Sequence, residues 1–223
     1  EPLVPANPMK VLTALELWNP ETRRQRRITP DELPRWFNAV LSMPYKSGAD
    51  WLLMLIFTGM RRNEATQLTF GDLDLHKGIV TVKDTKSNRP LVYPLPDVLW
   101  KLLQARFVER GCPPSTYPLF VSSNGVDPMS RYDRSYDYVC SVTGINFSPH
   151  DLRRSFTSIA TETGTHIYSI KRLLNHSNQD DGWTQGYYVQ DVEHLRSCVQ
   201  KICNEILRQS GMDRDELLSR LGI

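Results

Sequence analysis

Apolar residues recur along this chain mostly with the 3.6-residue period of amphipathic helices. Trp36, Phe37, Val40 and Leu41 form one such face, and Thr29-Pro30-Asp31-Glu32 ahead of them reads as a capping box with proline at the first helical position. Pro34 falls early enough to remove only one internal hydrogen bond. Trp51 to Phe57 is apolar nearly all round, which places that helix in the centre of a core, and Thr58-Gly59 ends it just before Arg61. Val98, Leu99, Leu102, Leu103 and Phe107 predict an inward face for a helix over Asp97 to Glu109, stopped by Gly111.

The pattern changes twice to the alternation of strands. Ile79 to Val82 and Leu91 to Leu95 flank the polar stretch Asp84 to Arg89, which predicts a hairpin with Lys86 at or beside its tip. Pro113 to Pro128 is a loop with a short extended piece at Leu119 to Val121, and Ser130 to Val142 is helical. Ser148-Pro149-His150-Asp151 opens the next helix with a cap, a first-turn proline and an early carboxylate, running to about Glu162 before Gly164. His150 and Arg153 then stand one turn apart on one face. Thr165 to Leu174, Val192 to Arg208 and Asp213 to Leu221 complete the helices, with a polar loop from Asn175 to Gly182. The fold class is therefore mostly α with a small antiparallel β-sheet.

Composition narrows the class. A chain of 223 residues with 40% hydrophobic content buries a proper core, and no apolar run approaches the roughly eighteen residues that cross a bilayer. The expectation is a soluble, cytoplasmic protein without a membrane partner. Cys112, Cys140, Cys198 and Cys203 contain no CxxC pair and read as reduced thiols, so neither metal nor disulfide is expected. Net charge of +2 says little about partners. Locally, Arg23-Arg24-Gln25-Arg26-Arg27 lies in a proline- and arginine-rich segment over residues 1–28, with a short helix around Met9 to Leu17, that reads as a linker. Solvation and contact with a nucleic-acid backbone both remain open for these arginines. The start of the chain lacks a methionine and a signal-like segment and resembles a cut inside a longer protein.

Against this background, certain residues are better explained by chemistry than by packing. Arg61, His150, Arg153, His176 and Tyr187 come from segments far apart in sequence, and together they suit a phosphodiester. Two guanidiniums would clamp the non-bridging oxygens, an imidazole moves protons near neutrality, and a phenol attacks phosphorus. Lys86 on the hairpin supplies an acid for the leaving oxygen. Each has competitors: Lys83 and Arg89 lie in the same turn as Lys86, and Tyr188 adjoins Tyr187. Arg62 and Arg154 are excluded from the same phosphate, because neighbouring helix positions point about 100° apart. His166 and His194 read as structural or solvated.

Thr58-Gly59-Met60-Arg61-Arg62-Asn63-Glu64 resembles the first-arginine motif of the tyrosine recombinase (phage integrase) family, and His150-Asp151-Leu152-Arg153-Arg154 resembles its His-x-x-Arg motif. Leu173-Leu174-Asn175-His176 is similar to its second-histidine segment, Thr184-Gln185-Gly186-Tyr187 to its nucleophile segment, and Thr85 to Arg89 with Tyr93-Pro94-Leu95 to its lysine hairpin. The five motifs stand in the family's order across roughly Ile28 to Leu195. The resemblance implies that Arg61, Lys86, His150, Arg153 and His176 activate the phosphate, that Tyr187 attacks it, and that Glu64 orients Arg61. Two departures stand out: Asn175 replaces the usual glycine, and the loop from His176 to Tyr187 is longer than common, which keeps Tyr188 in play.

The same resemblance implies residues 1–28 as a basic interdomain linker, 29–209 as the catalytic domain and 210–223 as a helical tail, with an N-terminal core-binding domain absent from this chain. It implies a site-specific recombinase of a phage or mobile element in a bacterial host, cutting and rejoining double-stranded DNA at attachment sites through a 3′-phosphotyrosine. No cofactor is needed, because the covalent link conserves the bond energy. The expected assembly is a homotetramer on DNA, with accessory DNA-bending proteins as further partners. Leu217, Leu218 and Leu221 would dock on a neighbour or on the chain's own core. The rival readings are a type IB topoisomerase and a DNA-binding module with a decayed site.

Overall fold

The structure, a computed structural model, describes residues 26–83, 90–175 and 191–223, together with Lys10 and Leu15. The segment read as a linker ends in contact with the fold. Ile28 is buried and its N–H donates to Ser155 Oγ at 2.8 Å. Arg26 pairs with Glu32 at 2.6 Å, and Arg27 bonds Ser158 and pairs with Glu162 at 2.8 Å. The two described arginines of the basic run are thus held by carboxylates of this chain.

Helix α1 (Leu33–Leu41) starts later than the sequence predicts. The Glu32 carboxylate reaches back to the Thr29 N–H at 2.9 Å over a tight turn at 30–32. Pro34 in the first turn has no N–H to give the Pro30 carbonyl, a bond the helix does without at its start. Helix α2 (Lys46–Thr58) follows, and every residue from Ser47 to Thr58 is buried. Its all-round apolarity is satisfied by α1 and the helices introduced below, and it forms the axis of the domain. The helix stops at Gly59, whose φ of 64° is left-handed and whose N–H caps the Leu55 carbonyl. A Cβ there would lie 2.6 Å from Phe156, so glycine is required by space as well as by φ.

A short helix, α3 (Arg62–Thr66), leads to a three-stranded antiparallel sheet of β1 (Leu73–Asp74), β2 (Ile79–Val82) and β3 (Leu91–Pro94) in that order. Val80 faces Tyr93, and Val82 faces Leu91. The hairpin is as expected. The two-residue β1 is additional, too short to show alternation. The hairpin tip, residues 84–89, lies outside the described residues.

Helix α4 (Asp97–Glu109) buries Val98, Leu99, Leu102 and Leu103 as predicted. Its last inward position, however, is Arg106 rather than Phe107, which is half-buried. Arg106 forks onto Asp50 of α2 at 2.8 and 3.2 Å, so two charges enter the core as a bidentate pair. Helix α5 (Asp133–Thr143) packs on α1 and α2. Helix α6 (Pro149–Glu162) is opened by Ser148, whose N–H and hydroxyl both donate to Asp151 Oδ2 at 2.9 Å. The short α7 (Ile167–Leu173), the long α8 (Val192–Ser210) and the terminal α9 (Arg214–Arg220) complete the described helices. β3 and α6 both pack on α8, and α9 sits on α4 with Leu217 and Leu218 buried. That terminal helix therefore docks on its own chain. No described helix is long and apolar enough to cross a membrane.

Candidate active site

Two arginines 92 residues apart in the chain, Arg61 and Arg153, meet at the C-terminal end of α2. Arg61 follows the Gly59 turn, and Glu64, one helical turn on, accepts both its backbone N–H at 3.0 Å and its Nη1 at 2.7 Å. Glu64 is buried while Arg61 is half-buried, so the carboxylate anchors a guanidinium whose other donors remain for a ligand. This is the orienting role expected of Glu64.

Arg153 stands on α6, pointing into the fold. Its Nη1 donates to the Gly59 carbonyl at 2.7 Å and its Nη2 to the Leu174 carbonyl at 2.6 Å. Both acceptors lie at helix C-termini, where the orphaned carbonyls and the dipole favour a cation. Among the described residues no carboxylate forms an ion pair with Arg153. Burial, then the charge of Arg61, lowers its pKa to about 10, which still leaves a full cation at neutral pH. A buried guanidinium with neutral acceptors on two nitrogens is a preformed seat for an anion.

His150 lies one turn earlier on α6 and is exposed at the rim. Partial desolvation and the neighbouring cations Arg154, Arg153 and Arg61 depress its pKa, so the imidazole is held neutral at pH 7. Neutral imidazole is the form that can accept a proton. Arg154 is turned instead toward Asp151 at 3.6 Å, and Arg62 toward Asn63 at 3.3 Å, so neither neighbour shares the place of Arg153 or Arg61.

Lys83, a competitor of Lys86, pairs with Asp72 at 2.6 Å at the base of the hairpin. Lys86, His176, Tyr187 and Tyr188 lie outside the described residues. The chain reaches the position before His176 through Asn175, whose φ of 49° is left-handed. Asparagine tolerates that conformation better than other non-glycine residues, which explains how it stands where the related motif has glycine. His194 Nε2 contacts Ser169 Oγ at 3.3 Å and Cys198 Sγ at 3.6 Å, a packing role like that expected of it. Sequence reasoning placed Tyr93 only within the lysine-hairpin motif and gave its hydroxyl no partner. Its hydroxyl reaches the Thr58 carbonyl at 3.1 Å, a contact that no local spacing signals.

A paired-arginine seat built on the end of a central helix, beside a sheet and a His-x-x-Arg helix, defines a class that comparison makes specific. Residues 26–194 match the phage integrase family, and the chain belongs to that family. The chain is 30% identical over 182 residues to the tyrosine recombinase XerA of Thermococcus kodakarensis, which covers 79% of this chain and 62% of that protein. Among solved structures it resembles the integrase from mycobacterium phage Brujita, with a TM-score of 0.60 at 18% identity, covering 92% of this chain and 65% of that one. It also resembles a lambda integrase dimer bound to a COC' core site, with a TM-score of 0.58 at 18% identity, over 76% of this chain and 68% of that one. At that identity the likenesses establish the fold, mostly helical with a small antiparallel sheet, as expected. The chain spans between about half and two thirds of the length of the curated relatives it matches.

Proposed function

We propose that the chain is the catalytic domain of a site-specific DNA recombinase that cuts and rejoins duplex DNA through a covalent 3′-phosphotyrosyl link, in the service of a phage or mobile element. The observation that carries this reading is the bridge made by Arg153. By holding the Gly59 and Leu174 carbonyls at once, it joins the Arg61 turn, the His-x-x-Arg helix and the segment that leads to His176. Three of the five motifs thus converge on one guanidinium.

The chemistry follows from the residue types. Arg61 and Arg153 clamp the non-bridging oxygens of the scissile phosphate and His176 donates a further hydrogen bond to them, stabilising the charge that builds as phosphorus becomes five-coordinate. Tyr187 Oη attacks phosphorus while His150 takes its proton. The bond from phosphorus to the 5′ oxygen breaks, and Lys86 gives that oxygen a proton. Attack by a 5′ hydroxyl of a partner strand reverses these steps, so rejoining needs no cofactor. The lambda integrase structure, described as a dimer on a core site, supports double-stranded DNA as the partner. A homotetramer on paired attachment sites, with accessory bending proteins, is the assembly such strand exchange calls for. The first cut takes place in the bacterial cytoplasm, where the element's DNA lies.

The test is to expose full-length protein to a pool of nicked suicide duplexes with randomised cores, then recover and sequence whatever survives denaturation as an adduct. The expected product is a 3′-phosphotyrosyl adduct mapping to Tyr187 and lost in Tyr187→Phe. Absence of any adduct sinks the enzymatic reading, and an adduct that survives Tyr187→Phe moves the nucleophile to Tyr188. Strand transfer between two recovered duplexes, as opposed to relaxation of supercoils alone, separates a recombinase from a type IB topoisomerase.

A further inference from the structure

Thr58 and Gly59 end α2, and their carbonyls have no partner within the helix. Each is met from a different element. Arg153 takes the Gly59 oxygen, and the Tyr93 hydroxyl, arriving from β3, donates to the Thr58 oxygen at 3.1 Å. The Thr58 side chain closes the turn from within, accepting the Met60 N–H at 3.2 Å and donating to the Met54 carbonyl at 2.5 Å. The Thr58–Gly59 and Gly59–Met60 peptide planes are thereby tied down. Glu64 fixes Arg61 to α3, but these bonds fix the turn to the rest of the domain.

Tyr93 is fully buried, opposite Val80 in the strand pair. Burial pushes its phenol well above the ordinary value, so it remains an O–H donor at any pH of interest. If the core required only a ring there, phenylalanine would fill the same space without a hydroxyl to satisfy. The hydroxyl instead ends on the Thr58 carbonyl, next to the Gly59 carbonyl that Arg153 holds.

We infer that Tyr93 is a positioning residue for Arg61: by donating to the Thr58 carbonyl it holds the turn that delivers the first arginine to the phosphate. This rests on the function proposed above. Without the hydroxyl, a buried carbonyl is left unpaired and the turn relaxes to find another donor. Arg61 lies three residues further along, so a small rotation of the Thr58–Gly59 peptide displaces its guanidinium from the phosphate oxygens.

The test uses full-length Tyr93→Phe and a nicked duplex recovered by the adduct selection, made in three forms at the scissile position. One has the natural phosphate. The second has a methylphosphonate, which lacks the negative charge that Arg61 offsets. The third has sulfur as the bridging 5′ atom, a leaving group that departs as thiolate without a proton from the hairpin lysine. On natural DNA, the single-turnover rate of adduct formation at saturating DNA falls about tenfold with Kd unchanged, in keeping with the steep dependence of such steps on placement. The deficit disappears on the methylphosphonate and persists on the sulfur duplex. An unchanged rate on natural DNA overturns the inference and makes Tyr93 a core filler. An equal deficit on all three overturns it in favour of general loosening, and a deficit that vanishes only with sulfur assigns Tyr93 to the hairpin acid instead. Absence of adduct with the unsubstituted protein is a failure of the proposed function, and is seen before the variant is made.

Discussion

Arg153 Nη1 donates to the carbonyl of Gly59, 94 residues earlier in the chain, at 2.7 Å. The bond places the second arginine of the site against the turn that presents the first. Through Nη2 the same side chain also holds the Leu174 carbonyl, two residues before His176 in the chain. On the proposed function such a residue is structural and chemical at once, and its substitution should show both losses.

Arg153→Lys keeps a cation but not the fork, since an ammonium is a point charge that cannot hold two carbonyls in the guanidinium's geometry. The expected outcome is a fall of about 10²–10³ in adduct formation, together with a loss of about 1–3 kcal/mol in urea denaturation for the carbonyl left unpaired. Full stability with lost activity would show that lysine still bridges Gly59 and Leu174.

His150 has a testable sign. Desolvation and the cations Arg154, Arg153 and Arg61 lower its pKa, so in the free protein its NMR titration should fall below that of an ordinary histidine. The neutral form that accepts a proton therefore persists to lower pH, and activity limited by this base is lost as pH falls through the depressed value. Arg154→Gln removes one of those cations and releases Asp151 from its 3.6 Å partner. Both changes move the titration upward. A titration unmoved by Arg154→Gln would mean that the Arg154 charge does not reach the imidazole and that desolvation and the other two arginines set it.

Residue types alone leave Lys83 as a competitor of Lys86 in one polar turn, although the resemblance points to Lys86. In the structure the Lys83 ammonium pairs with Asp72 at 2.6 Å, and Asp72 also accepts the Thr69 N–H at 2.8 Å, which favours Lys86 as the acid. Lys83→Ala is expected to leave adduct formation within a small factor of the unsubstituted rate, because an exposed ammonium contributes about 1 kcal/mol or less to stability. Lys86→Ala is expected to lose about 10²–10⁴ in rate on natural DNA and to recover on a duplex with sulfur at the leaving position. The reverse pattern would make Lys83 the acid.

The parts of this molecule that sequence disclosed are those governed by local periodicity and caps. The range Asp97–Glu109, the Ser148 box and the Gly59 stop each follow from residues within a few positions of one another. Two of the failures have a common physical origin in distant partners. Arg106 is inward because Asp50, on another helix, compensates its charge, and Phe107 yields the position. The Tyr93 hydroxyl had no legible role because the carbonyl it serves is 35 residues away. The arginine pair was legible because its motifs name the residue types, but the bridge from Arg153 to two helix ends has no sequence signature.

Asn175 offers a way to weigh backbone strain at the site. Its φ of 49° lies in the left-handed region, where a Cβ costs roughly 1–2 kcal/mol and a β-branched residue is least tolerated. Glycine adopts this conformation freely. Asn175→Gly and Asn175→Val both delete the side-chain amide, so the difference between them isolates the conformational cost. We expect the glycine variant to stay within about 1 kcal/mol of the unsubstituted protein and the valine variant to fall about 1–2 kcal/mol below it in urea denaturation. Adduct formation should follow the same order, because the Leu174 carbonyl that Arg153 grips lies immediately before this residue, and rotation about Asn175 redirects the chain entering His176. Equal stabilities for the two variants would mean that the left-handed turn is not maintained in solution, and that the histidine is positioned by contacts further along the chain.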